Sequence, residues 1–171
     1  SIKKLHEIKN SKDTVLEKLG KIGINISTLD IPITIVNKKI LNELSGSLAS
    51  SKLKGFTHYS FFKTPIGKIN KKFHIYVLDR LPKIEFHAVL AHEYFHVWLF
   101  ENSVELPSHK REGFCNLASA YIYELDNTTF SKIHLESMYA DTDPDYGEGF
   151  RLMKNKLNKI GWENLIQTLG K

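Results

Sequence analysis

Residues 88–100 read AVLAHEYFHVWLF, an apolar stretch that contains the pattern His-Glu-x-x-His. Apolar residues on nearly every face predict a buried helix. Side chains four residues apart lie on one face of a helix, so His92 and His96 can reach the same metal ion. Glu93 lies about 100° further around the helix, because one turn takes about 3.6 residues. That position suits a neighbour of a metal-bound water better than a ligand, and the pattern is typical of zinc peptidases.

The same pattern has a second interpretation, in which His92 and His96 are core histidines and Glu93 is a surface residue. A buried helix with two histidines and a glutamate needs partners for them, because unpaired buried polar groups cost a few kcal/mol each. A metal ion would supply such a partner, which favours the metal interpretation.

Length and composition predict a single domain over residues 1–171, with 42% hydrophobic and 25% charged residues. One cysteine excludes an intrachain disulfide and a cysteine-rich zinc finger. The net charge of +5 comes from scattered lysines with only three arginines, so we expect no nucleic-acid partner. No stretch reaches the roughly 18 apolar residues of a membrane span, so we expect no membrane partner. The chain begins without Met and shows no signal-peptide core, which leaves the compartment open.

The order of predicted elements indicates an α+β fold, with a small mixed or antiparallel sheet packed on a long helix and a mostly helical C-terminal half. A helix over 11–19 is opened by Ser11, and a helix over 38–44 is capped by Asn37. The other predicted elements are strands over 31–36, 56–62 and 73–78, the latter two joined by a turn at 65–67, and helices over 82–100, 110–125, 130–139, 146–160 and 162–169.

A catalytic zinc ion usually has three protein ligands, so a third must come from beyond His96. Spacing leaves several carboxylates open: Glu101, Glu105, Glu112, Glu124, Asp126 and Glu136. Glu112 is the best placed, because it opens the helix after the break at 102–107 and Gly113 permits a close backbone approach. Asn116, one turn further on, can orient a ligand. The alternative for Glu112 is a first-turn acid that complements the helix dipole.

Five blocks of the chain resemble the C-terminal peptidase domain of the plant LIM-domain, ubiquitin-activated peptidases that limit organ growth. The blocks are AHEYFHVWL (91–99), EGFCN (112–116), DPDYGEGFR (143–151), IPITIV (31–36) and LNE (41–43). The resemblance covers roughly residues 28–170, which makes residues 1–27 an N-terminal helical extension. It implies a zincin-like zinc peptidase of the glutamate-ligand type, with one Zn²⁺ held by His92, His96 and Glu112, and with Glu93 as catalytic acid and base.

Two departures from the family limit what the resemblance implies. The family has two successive acids before the glycine, whereas this chain has Arg111-Glu112. A single cysteine cannot form a LIM module, so ubiquitin coupling is not implied for this chain.

The resemblance also places the DPDYGEGFR block near the site, which makes Tyr146 the first candidate for an oxyanion donor, with His134 and Tyr139 as alternatives. Tyr146 packed on the core is the competing interpretation. Cys115 is expected to be a small buried residue rather than a nucleophile. The remaining histidines are expected to be structural or solvated: His58, His74, His87 and His109.

The sequence therefore predicts a zinc-dependent endopeptidase that acts on a peptide or protein substrate. The strand over 56–62 is a candidate edge to which an extended substrate can add. The alternative is a metal-binding, catalytically silent interaction domain on the same scaffold. A basic nucleic-acid-binding module is a third interpretation, supported only by charge.

Overall fold

The computed structural model describes residues 5–46 and 52–169. Within these ranges the chain forms helices around a small sheet, so the fold is mixed α+β as predicted. In chain order the elements are α1 (Leu5–Gly20), β1 (Ile33–Val36), α2 (Lys38–Ser45), β2 (Gly55–Lys63), β3 (Ile69–Leu78), α3 (Lys83–Glu101), α4 (Ser108–Asp126), α5 (Thr129–Ala140), a π-helix (Pro144–Glu148) and α6 (Gly149–Leu169).

The sheet is mixed and has the strand order β1-β3-β2. β1 runs parallel to β3, and β2 runs antiparallel to β3, with Thr57 opposite Ile75. The turn between β2 and β3 is closed by hydrogen bonds from the Gly67 amide to the Thr64 carbonyl and from the Thr64 amide to the Lys68 carbonyl, both 2.8 Å. The predicted hairpin is therefore confirmed, and β2 is an edge strand of the sheet within the described residues.

α3 is the central helix, which explains why its sequence is apolar on nearly all sides. It contacts β2 and β3 on one side, α1 on another and α4 on a third. Leu90, Ala91, Tyr94 and Phe95 are fully buried. Burial of this apolar surface stabilises the fold by about 25 cal/mol per Å². α4 packs in turn against α5, α6 and the π-helix, so α3 and α4 together form the frame of the molecule.

The prediction that Ser11 begins the first helix is wrong. α1 begins at Leu5, and Ser11 is buried within it together with Val15 and Leu19. These three residues are spaced four positions apart and therefore lie on one face of the helix. Packing of that face places Ser11 inside the helix, although serine is favoured as a helix cap. The described part of the predicted extension over residues 1–27 therefore contributes to the same core as the rest of the chain.

The start and end of α2 and the break in α6 agree with the sequence-based predictions. The Asn37 side chain accepts a hydrogen bond of 3.0 Å from the Ile40 amide, and α2 ends before Gly46, whose φ of 90° is left-handed. Gly161, with a φ of 75°, divides α6 into two parts near the predicted boundary. None of the described helices is both long enough and apolar enough to span a membrane.

Candidate metal centre

Three donor atoms from α3 and α4 converge between the two helices. Nε2 of His92 lies 3.2 Å from Nε2 of His96, because the two side chains are one helical turn apart. Oε2 of Glu112, in the first turns of α4, lies 3.4 Å from the first nitrogen and 3.3 Å from the second. The three side chains are only 10–16% exposed. The structure thus brings together the three residues that were predicted as ligands.

The chemistry and spacing of this donor set fit a zinc ion. Ligand atoms at about 2.0–2.2 Å from a tetrahedral zinc ion are about 3.3 Å from one another. The carboxylate oxygen Oε2 of Glu112 is buried and has no hydrogen-bond partner among the described residues. A buried carboxylate oxygen and two imidazole nitrogens that face one another are costly without a partner that attracts all three. A divalent cation is such a partner.

Close backbone packing positions the start of α4. A Cβ atom on Gly113 would lie 2.2 Å from the carbonyl oxygen of Gly149, and one on Gly149 would lie 2.0 Å from the carbonyl oxygen of His109. Only glycine permits this approach between α4 and the start of α6. The predicted close approach at Gly113 is confirmed, and it holds the neighbouring Glu112 in place against α3.

Asn116 connects His92 to the π-helix. Its Oδ1 lies 2.9 Å from Nδ1 of His92, and its Nδ2 donates a 2.9 Å hydrogen bond to the carbonyl oxygen of Tyr146. Since Oδ1 accepts, the hydrogen-bond network assigns the proton of His92 to Nδ1 and leaves Nε2 free to bind a metal. This is the orienting contact that was predicted for Asn116.

Glu93 is buried between α3 and the start of β2, with 4% of its surface exposed. The Thr57 hydroxyl donates a 2.7 Å hydrogen bond to Oε2 of Glu93. A Cβ atom on Gly55 would lie 2.6 Å from Oε1, so a larger residue at this strand position would displace the Glu93 carboxylate. Sequence reasoning missed both contacts, because a threonine and a glycine in a strand indicate nothing about a residue 36 or 38 positions away.

The charges of the site act on one another strongly. Burial would raise the pKa of the Glu112 carboxyl, but the imidazoles of His92 and His96 outweigh burial and hold it far below its usual range. Burial would lower the pKa of His92, but Glu112 and Glu93 outweigh it and raise the pKa. The other oxygen of Glu112, Oε1, lies 3.3 Å from Nε of Arg111.

Tyr146 lies beside the donor set, whereas the two alternative oxyanion donors make other contacts. Its ring centroid is 6.3 Å from that of His92. Burial raises the pKa of the Tyr146 hydroxyl, and the nearby carboxylates of Glu112 and Glu93 raise it further, so the hydroxyl stays protonated. His134 packs against Phe130 and Tyr123 with tilted rings, and its Nε2 lies 3.6 Å from a Glu85 oxygen. Tyr139 packs on Phe150.

The other candidate carboxylates do not join the donor set. Glu101 accepts hydrogen bonds of 2.9 and 2.7 Å from the amides of Ser27 and Thr28. Glu124 pairs with Lys154, and Asp126 accepts from the hydroxyls of Thr128 and Ser131. Glu136 is exposed on α5. Glu105 lines a groove of about 290 Å³ that also contains His96, Tyr59, Leu99 and Arg111.

Cys115 places a fourth potential metal-binding atom, a sulfur, near the histidines. Its Sγ and one ligand nitrogen from each of His92 and His96 all lie within 4.8 Å of one another. Cys115 is fully buried, and burial raises the pKa of its thiol well above the usual range. The thiol would have to lose its proton to bind a metal, whereas the ionised carboxylate of Glu112 already lies within 3.4 Å of Nε2 of both histidines, so Glu112 is the better third donor.

The histidines that were expected to be structural lie away from the donor set. His58 pairs with His74 across β2 and β3, and His74 lies 2.8 Å from the Thr34 hydroxyl. His109 is in the first turn of α4 and exposed. His87 is buried on another side of α3. A larger cavity of about 450 Å³, lined among others by Ile22 and Trp162, contains none of the predicted site residues.

Comparison of the chain with known protein families, curated proteins and solved structures gives no match. The resemblance described in the sequence analysis therefore stays a prediction. The case for a function rests on the geometry of the site itself.

Proposed function

We propose that the chain is a zinc-dependent endopeptidase with a zincin-like arrangement of edge strand and metal-binding helix. The observation that carries the proposal is the convergence of two imidazole nitrogens and one carboxylate oxygen at 3.2–3.4 Å from one another. His92, His96 and Glu112 would hold the ion. Two histidines and one carboxylate are a donor set of catalytic zinc sites, which keep a further position for water or substrate.

Each remaining polar residue of the site has a role that its position supports. When bound, zinc supplies Lewis-acid chemistry, which polarises a peptide carbonyl and lowers the pKa of water towards about 7. The Glu93 carboxylate accepts a proton from the attacking water and then delivers it to the leaving amine. Thr57 holds that carboxylate in place, and Asn116 fixes the tautomer of His92. The protonated Tyr146 hydroxyl is the candidate donor to the oxyanion.

Two surfaces near the donors suit a polypeptide substrate. β2 is an edge strand of the sheet that residues 5–46 and 52–169 form, so an extended peptide can add to its outer side through main-chain hydrogen bonds. The groove of about 290 Å³ beside His96 has apolar walls formed by Leu99, Val104 and Leu106. It is large enough for one apolar side chain of the substrate next to the cleaved bond.

The test compares zinc content and cleavage of an unfolded protein such as casein. We expect the chain with one equivalent of zinc to cleave casein, a chelator to stop cleavage and added zinc to restore it. Glu93→Gln is expected to keep zinc and to lose at least about 100-fold in activity, the usual size of an acid–base contribution. Glu136→Gln, at an exposed carboxylate on α5, is the matched control and should behave as wild type.

Two results would contradict the proposal in different ways. A zinc-loaded chain that cleaves no unfolded substrate would support the alternative, a silent metal-binding interaction domain. Near wild-type activity in zinc-loaded Glu93→Gln would keep the enzyme but remove Glu93 from its mechanism.

A further inference from the structure

The far end of the β2–β3 hairpin exposes large apolar side chains. Ile66 in the turn is 89% exposed, Phe61 is 70% exposed and Ile69 is 62% exposed, while Phe62 is 44% exposed. In the strand register Phe61 lies opposite Lys71 and Lys63 lies opposite Ile69, so Phe61 and Ile69 are diagonal neighbours on one face. Neighbouring exposed apolar residues of this size mark an interaction surface in a protein that otherwise buries its core.

The same hairpin is uniformly basic. Residues 44–78 contain no Asp and no Glu, and the hairpin over 55–78 contains four lysines and no arginine. The lysines are Lys63, Lys68, Lys71 and Lys72. All four lie close in sequence to the exposed apolar residues. A partner for this end of the hairpin must therefore combine negative charge with apolar character.

The apolar side chains point in more than one direction. The ring of Tyr59 packs at a tilt against Phe100 of α3, with ring centroids 3.8 Å apart, which places the odd-numbered residues of β2 on the face towards α3. Phe61 lies on that face, and Phe62 lies on the opposite face, where Nζ of Lys72 is 5.1 Å from its ring centroid. Ile66 projects from the turn between the strands. Each face of the hairpin thus presents an aromatic ring with a lysine nearby.

This distribution favours a lipid surface over the other acidic partners. A folded protein or a nucleic-acid strand would cover one face and leave the other exposed. A fluid bilayer interface surrounds an inserted hairpin end on all sides, and its acidic headgroups attract nearby lysines. Proteins that bind single-stranded nucleic acid through basic and aromatic side chains also use arginine, which the hairpin over 55–78 lacks.

We propose that the hairpin end over residues 61–72 docks the protein on an anionic lipid surface. The exposed apolar side chains enter the interfacial layer. Lys63, Lys68 and Lys72 contact acidic headgroups, while Nζ of Lys71 donates a 2.7 Å hydrogen bond to the carbonyl oxygen of Phe100. The expectation of no membrane partner was based only on the lack of a long apolar stretch. A peripheral contact of this kind needs no membrane-spanning helix. The proposal does not depend on zinc or on peptidase activity, so the two can fail separately.

The test is co-sedimentation of the chain with vesicles of phosphatidylcholine, alone or mixed with phosphatidylserine. We expect binding to the mixed vesicles only, and weaker binding as salt is added. The double variant Phe61→Ser with Ile66→Ser should lose at least about tenfold in affinity, since both side chains leave the apolar layer. Each of Lys68→Glu and Lys72→Glu should weaken binding by about fivefold or more, the effect of about 1 kcal/mol per basic residue.

Matched controls lie elsewhere on the surface. Leu29→Ser removes an exposed apolar side chain, 84% exposed, outside the hairpin, and Lys159→Glu reverses an exposed lysine on α6. Both should bind as wild type. Circular dichroism and thermal unfolding check that each variant is folded, and Ile66→Ser alone, in the turn, replaces the double variant if that one does not fold.

Four results would overturn the proposal. The first is no sedimentation with the mixed vesicles, and the second is equal binding by the hairpin variants and the controls. The third is sedimentation without vesicles that the double variant abolishes, and the fourth is tighter binding to single-stranded RNA than to the vesicles. These would assign the hairpin end to self-association or to nucleic acid.

Discussion

α3 buries polar residues in opposite ways on two of its sides. The first side faces α4 and β2, and the second side faces α1. On the first side, His92, Glu93 and His96 each have a polar atom of another residue within 3.4 Å. On the second side, Nε2 of His87 and the hydroxyl of Tyr94 are buried without a hydrogen-bond partner among the described residues. Charges on α1 act on both of these groups, which places them at that interface.

The difference separates a candidate functional histidine from a structural one. His87 and His92 lie in the same apolar helix and are both largely buried. His92 has a second histidine one turn away and a carboxylate from the next helix, whereas burial, reinforced by Lys18 and Lys83, lowers the pKa of His87 to about 4 and keeps it neutral. Convergence of donors, rather than burial, is therefore the property that indicates a metal site. Substitutions on the two sides should accordingly change different quantities.

Glu112→Ala is expected to have the largest effect on the metal-binding side. Removal of one of three ligands should weaken zinc binding by more than about 100-fold, beyond the 10–100-fold cost of losing a residue that only orients a ligand. Competition with a chelator of known affinity measures the change, and Glu136→Ala is the control on an exposed carboxylate. Unchanged zinc affinity would show that another residue, with Cys115 the nearest, binds in place of Glu112.

Asn116→Leu is expected to weaken zinc binding by about 10–100-fold, because His92 loses the acceptor that fixes its tautomer. Asn116→Asp keeps an oxygen acceptor at the same position and should retain most of the affinity. The same competition assay compares the two variants. Equal losses in both would assign the effect to the lost contact with the Tyr146 carbonyl instead of to His92.

Thr57→Val should lower kcat by about tenfold while zinc affinity stays unchanged. The hydroxyl donates to a carboxylate, and such bonds contribute about 1.5–3 kcal/mol. Thr57→Ser retains the donor and should restore most of the rate, which a purely structural role of the methyl group would not do. A loss of zinc in Thr57→Val, or no rescue by serine, would contradict a role in positioning Glu93.

His87→Leu is expected to change only the pH dependence of stability. The folded pKa of about 4 lies below the unfolded value of 6.5, so the unfolded state binds more protons between these values and stability falls as pH falls through this range. We expect wild type to lose about 1–2 kcal/mol more than His87→Leu between pH 7 and pH 4.5, after allowance for solvent screening. Urea unfolding of both proteins without zinc measures the difference. Parallel pH profiles, or altered zinc affinity in the variant, would remove the contrast between the two sides of α3.

The sequence predicted the features that depend on local pattern. The apolar stretch around His92 predicted α3, the turn at 65–67 predicted the hairpin, and Asn37 predicted the start of α2. The third donor was harder, because spacing left six carboxylates, among which Glu112 was the best placed, and the packing of α4 on α3 brings its oxygen to both histidines. The contact between Thr57 and Glu93 had no signal in the sequence, since it depends on which face of β2 meets α3.

X-ray absorption spectroscopy of the zinc-loaded chain tests the central claim most directly. The account predicts one equivalent of zinc in a shell of nitrogen and oxygen ligands that includes two imidazoles, contributed by His92 and His96. Glu112→Ala should remove one oxygen from that shell or release the ion. A zinc–sulfur distance of about 2.3 Å, which only Cys115 or one of the two methionines could provide, or a chain that retains no zinc, would contradict it.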